Sequence, residues 1–132
     1  MTDALKTVSK RVDRAAIRLY AEITKDFNPI HVDPEFASQT AMGGIIAHGM
    51  LSLNLVWQSL RTSLGDDFAE GAVLDVRFVR PVREDDVVTA GGERRADGEG
   101  FDVWVRNQKD EPVIVGQATH AAHGWSTGRA GA

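Results

Sequence analysis

The apolar positions of this chain change period along its length, and the change divides it into a helical front and an extended back. Residues 7–12 read as a short strand. Asp13 then offers an N-cap, and Ile17, Tyr20, Ala21 and Thr24 recur at helical spacing, which predicts a helix over Arg14–Thr24. Phe27-Asn28-Pro29 ends it, because a residue before proline is driven out of the α region. Asp33-Pro34 repeats the start signal, a cap followed by proline at the first helical position, for a short helix through Ala37 or Ser38. Gly43 and Gly44 mark a further break.

Residues 47–61 are different in kind. Met50, Leu51, Leu53, Leu55, Val56, Trp57 and Leu60 leave little of a helical circumference polar, and no Asp, Glu, Lys or Arg lies between His48 and Leu60. Such a helix is buried on most sides. Period two follows it. Leu74, Val76 and Phe78 alternate with Asp75 and Arg77; residues 87–95 form a second strand, with Gly91-Gly92 indicating a bulge or a close backbone approach. Phe101, Val103 and Val105 alternate with Asp102, Trp104 and Arg106 in a third, after a turn at Asp97-Gly98, and residues 113–122 make a fourth. The pattern predicts an α+β fold, one central buried helix wrapped by a curved antiparallel sheet in meander order.

Composition narrows the class without changing this picture. The 132 residues suit a single domain, read here as 1–123, with a Gly-, Ser- and Ala-rich flexible tail at 124–132. A hydrophobic share of 42% with 26% charged residues is that of a globular protein, and a net charge of −4 opposes general binding to nucleic acid or anionic membrane. There is no cysteine, hence no disulfide, thiolate metal site or cysteine nucleophile. No secretory signal or membrane-spanning run is visible, so a cytoplasmic location is expected.

Two segments could carry chemistry. Asp26 and His31 share a short proline-stiffened loop with Asn28, a spacing that lets an acid and an imidazole reach one water and share proton transfer. The same residues also read as helix caps and an ordinary loop histidine. Gly43 to Met50 leads glycines into the start of the buried helix, where free N–H groups and the helix dipole favour negative charge, as an oxyanion hole requires; a plain glycine-rich connection reads equally well. The four histidines are dispersed and match no zinc-binding spacing, so no metal is expected. Arg77, Arg80, Arg83, Arg94 and Arg95 are a solvated sheet face or, in part, a phosphate contact.

Taken together, these segments resemble the MaoC-like dehydratases, the (R)-specific enoyl-CoA hydratase family. The residues from Tyr20 through Asp26-Phe27-Asn28-Pro29-Ile30-His31 to Ala37 are similar to its hydratase motif, Ile45 to Leu51 to its second signature, and Phe78 to Val82 with Glu84 to Val88 to its strand–turn–strand step. The resemblance implies a hot-dog fold and reversible addition of water to a 2-enoyl thioester of coenzyme A or of an acyl-carrier protein. It places Asp26 and His31 on the catalytic acid–base pair; Asp26 is assigned as base and His31 as water-orienting acid, with the opposite split left open. Asn28 falls on the asparagine that steadies the loop on the substrate side, and Gly49 on the amide that binds the thioester carbonyl. It implies no cofactor, coenzyme A being part of the substrate, and a homodimer joined sheet edge to sheet edge beside the active sites. A hot-dog thioesterase and a non-catalytic partner subunit are the alternatives. The first is opposed by the presence of both signatures, the second by the presence of both Asp26 and His31. Two positions depart from the pattern. Lys25 stands where a glycine commonly precedes the aspartate, and Trp57 where one branch has a serine. Trp57 lies eight residues after Gly49, close to a whole number of turns, and its indole is expected to narrow the acyl pocket.

Overall fold

The computed structural model describes residues 3–120, so the boundary at 123, the tail and His123 lie outside the described residues. Strand β1 (Val8–Arg11) leads into helix α1 (Arg14–Thr24). Two short helices, α2 (Pro29–Val32) and α3 (Pro34–Ser38), precede the long α4 (Gly49–Leu64) and the brief α5 (Asp66–Gly71). Strands β2 (Ala72–Phe78), β3 (Val87–Arg94), β4 (Phe101–Arg106) and β5 (Pro112–His120) complete the fold. Every pairing is antiparallel and the sheet order is β1-β3-β4-β5-β2. Only β3, β4 and β5 form the expected meander. β2 pairs beyond β5, which makes β1 and β2 the two edges.

Helix α1 begins and ends as its sequence dictates. The Asp13 carboxylate accepts from Ala16 N–H at 2.9 Å, and Ile17 and Ala21 are buried, while Leu19 and Ile23 face outward. At the other end Lys25 adopts φ 60°, ψ 29°, and its N–H bonds Ala21 O. That left-handed cap position favours glycine, because a Cβ there crowds the carbonyl. A lysine therefore occupies a glycine conformation one residue before Asp26.

Helix α4 lies against the sheet with Leu51, Leu53, Leu55, Val56 and Leu60 buried, and exposes Gly49, Met50, Asn54, Gln58, Arg61 and Thr62. Ser59, fully buried, donates to Lys6 O at 2.6 Å. From the sheet, Val88, Ala90, Phe101, Val103, Val105, Ile114 and Ala118 close the core. Among the described residues no helix is long and apolar enough to cross a membrane.

The sheet departs from its sequence reading at the end of β2. Phe78, expected inward, is about half exposed, because it ends β2 at the sheet margin. Of the two readings of Gly91-Gly92, the close approach holds and the bulge does not: they pair in register with Trp104 and Val103, and the Trp104 ring and Asp102 O approach within 2.7 and 2.6 Å of where a Cβ would stand. The irregularity falls instead at Val105/Arg106.

Candidate active site

Asp26 follows the C-cap of α1, and its N–H still reaches back to Ala21 O at 3.1 Å. The next residues form a turn of helix where an irregular loop is expected. Pro29 supplies the first helical position, and the Asn28 side chain caps it by accepting from Ile30 N–H at 3.2 Å. This turn brings His31 around to the inner side, where its Nδ1 lies 2.7 Å from Ile46 O. A carbonyl only accepts, so Nδ1 carries the proton and, in the neutral ring, Nε2 remains a bare acceptor.

The strand-like passage 45–47 sits at the crossing of three distant stretches. Ile46 N–H bonds Ile30 O at 3.3 Å, Ala47 N–H bonds Val82 O at 2.8 Å, and Glu84 N–H bonds Ile45 O at 3.2 Å. It hands the chain to His48 and Gly49, the N-cap and first residue of α4. The first amides of a helix have no partner within it, so Gly49 presents a donor at the positive end of the dipole. A cavity of about 390 Å³ opens there, lined by His31, Gly49, Ser52 and Arg80 among the apolar side chains of Ile46, Phe78, Val79, Val82 and Val113.

The fold thus brings Asp26 to His31, and His31 with Gly49 to one cavity, whose lining does not include Asp26. A carboxylate oxygen of Asp26 and one ring nitrogen each of His31 and His48 lie within 4.8 Å of one another. Two of the histidines dispersed in sequence, His31 and His48, therefore converge in space with an acid. Two of the four ring nitrogens, however, are committed to backbone carbonyls: His31 Nδ1 to Ile46 O, and His48 Nε2 to Asp26 O at 2.9 Å.

Asn28 and Trp57 stand elsewhere. Asn28 does not line the cavity, its Oδ1 being spent on its own helical turn. Trp57 lines a separate depression with Asn54, Gln58, Arg61 and Ala69. The geometric reason is that eight residues are 2.2 turns at 3.6 residues per turn, a rotation of about 80° away from Gly49. The residue two turns on is Val56, which is fully buried.

Sequence reasoning passed over two side chains. His48 is 4% exposed, with its ring stacked on that of His31 at a centroid distance of 3.9 Å. Ser52, one turn beyond Gly49, lines the cavity and is 1% exposed, and its Oγ has no hydrogen-bond partner among the described residues. The i, i+3 spacing from Gly49 was the available signal for Ser52. Of the arginines, Arg80 alone lines the cavity; it approaches Glu111 only to 3.9 Å. The Glu111 carboxyl is held below its usual range chiefly by the Asn107 side chain, with the Arg80 charge adding to the effect. Arg94 lies over Phe101, Arg95 pairs with Asp97, and Arg83 donates to Met42 O.

A long helix laid against a curved antiparallel sheet, with an imidazole beside the start of that helix, is the hot-dog fold. Comparison with known proteins names the family: the model for the MaoC like domain matches residues 2–117, and the chain belongs to it. It is 37% identical over 83 residues to the (R)-specific enoyl-CoA hydratase of Aeromonas caviae, covering 63% of this chain and 62% of that one. It spans less than two thirds of the length of the first curated relatives it matches, 58% for the (R)-specific enoyl-CoA hydratase of Rhodospirillum rubrum. Among solved structures, the unliganded R-hydratase PhaJ1 from Pseudomonas aeruginosa superposes with a TM-score of 0.75 at 26% identity, covering 89% of this chain and 79% of that one. The A. caviae (R)-hydratase involved in PHA biosynthesis gives 0.70 at 30%, covering 89% and 94%.

Proposed function

We propose that the protein is an (R)-specific enoyl-CoA hydratase, adding water reversibly to a 2-enoyl thioester. The observation that carries this reading is the His31 imidazole, which lies close to the Asp26 carboxylate on one side and lines, with Gly49, a largely apolar cavity on the other. The thioester carbonyl takes the Gly49 N–H, a bond that strengthens as charge builds on oxygen in the enolate-like transition state and so accelerates the step. Water lies between Asp26 and the free Nε2 of His31. Its oxygen bonds C3, its proton passes to the pair, and one proton reaches C2 on the same face. The atoms of one water are thereby added across the double bond, and the reverse path removes them. A neutral His31 with Nδ1–H on Ile46 O acts first as acceptor.

The reaction so read uses no cofactor, since coenzyme A or the carrier belongs to the substrate. Arg80 at the cavity is suited to an anionic phosphate of that carrier. A homodimer is part of the reading, because the β2 edge carries exposed Val73 and Phe78 and unpaired backbone groups need cover. So is a cytoplasmic location. The test follows loss of enoyl absorbance with a panel of 2-enoyl-CoAs from short to aromatic, then chiral analysis of the product. Release of free thiol without a 3-hydroxyacyl product would replace the hydratase reading with a thioesterase.

A further inference from the structure

We propose that His48 is a positioning residue, one side chain that holds the Asp26 backbone, the His31 ring and the Gly49 amide in a single arrangement. The inference rests on the hydratase reading above.

His48 occupies the N-cap of α4 yet makes no capping hydrogen bond, so its burial at that place is not explained by helix termination. Its contacts run sideways instead. Nε2 lies 2.9 Å from Asp26 O, and because a carbonyl only accepts, the proton is on Nε2. Nδ1 is then a buried acceptor with no partner among the described residues. An apolar ring of similar size would leave no such orphan atom, so packing alone does not account for an imidazole here.

The ring faces complete the clamp. One ring contact is with His31, at 3.9 Å and 26° between planes; another is with Tyr20 of α1, at 5.0 Å and 58°. His31 is consequently held by an edge on Ile46 O and by a face on His48. The Asp26 backbone is likewise held twice, its N–H by Ala21 O and its carbonyl by His48. The peptide bond after His48 places the Gly49 amide. The two halves of the proposed acid–base pair and the carbonyl-binding amide therefore share one rigid neighbour, and misplacement by about 1 Å is enough to cost on the order of a hundredfold in rate.

Two substitutions separate the contacts. His48→Phe keeps a stackable ring and removes the donor; His48→Gln keeps an N–H able to reach Asp26 O. Measured per folded molecule with a 2-enoyl-CoA, His48→Phe is expected to lower kcat about tenfold or more with KM changed by less than about threefold, and His48→Gln to recover most of that loss. A folded His48→Phe protein with unchanged kcat overturns the proposal, as does His48→Gln falling as far as His48→Phe. Nitrogen-15 spectra of the unmutated protein decide independently of variant folding: the proton is expected on Nε2 of His48, and an Nδ1–H tautomer overturns the clamp. An unmutated protein that hydrates no enoyl thioester refutes the hydratase reading itself, whereas an active one indifferent to both substitutions refutes only the role of His48.

Discussion

The ring of Phe78 lies over Gly49 so closely that a Cβ there would stand 2.8 Å from Cε2 of the ring. The end of an edge strand thus fixes the size of the residue that begins the central helix. Gly49→Ala is expected to push the ring aside, disturb the cavity they both line, and lower kcat/KM by about tenfold. Phe78→Leu in the same chain should restore part of the loss. Additive effects in that double-mutant cycle would show that the two residues act separately.

The acid and the imidazole should each be needed for rate and neither for folding. Asp26→Asn and His31→Ala are expected to reduce hydration about a hundredfold or more, the scale of a positioned acid or base. Asp26 is exposed and His31 only half-buried, so thermal unfolding should change little. A variant with near-full turnover removes that residue from the mechanism.

Lys25 offers a stability test beside the site. With φ at 60°, Lys25→Gly should stabilise the protein by about 1 kcal/mol, the steric cost of a left-handed side chain less glycine's larger unfolded-state entropy. Denaturant titration at constant slope measures it. A destabilised Lys25→Gly protein would mean that the lysine side chain makes a compensating contact.

Trp57 should act as packing and not as a selector of substrate. It is half-buried against the core and faces the separate depression, so Trp57→Ala is expected to cost about 2 kcal/mol, below the usual loss for a fully buried aromatic, while the chain-length profile stays unchanged. A shifted profile would return the indole to the acyl pocket.

Arg80→Ala should raise KM for coenzyme A thioesters several-fold with kcat retained, the mark of binding that is equal in ground and transition states. The rise should shrink for a substrate truncated to the pantetheine thiol. Equal effects on both substrates would place Arg80 against the acyl-pantetheine part that they share instead.

Much of this architecture is legible in the residues because the signals are local. Asp13 and the spacing of Ile17 and Ala21 delimit α1 at both ends, and the alternation from Phe101 to Arg106 gives β4 its faces. What could not be read depends on partners remote in sequence. Nothing in residues 72–78 says that they pair with β5 and not β3, and so nothing says that Phe78 emerges half exposed over Gly49. The turn at Pro29 was hidden because four residues are too few for a period. The motif singles out Asp26 and His31 as candidates; the resting places of His31 Nδ1 and His48 Nε2 are not legible there, since they are decided by carbonyls fifteen and twenty-two residues away.

The crossing at 45–47 also bears on how the chain acquires its chemistry in time. Its bonds join residue 30 to 46 and residues 82 and 84 to 47 and 45, and Val113 supplies a wall of the cavity while its carbonyl receives Val79 N–H. Contacts so separated along the chain close late, after the entropy of long loops has been overcome. A ribosome-bound chain ending before residue 113 would already contain Asp26, His31 and Gly49, but not the Val113 wall of the cavity that His31 and Gly49 line. On the proposed reading, hydration reports that the sheet has been completed, and its appearance during refolding should lag behind that of helical signal.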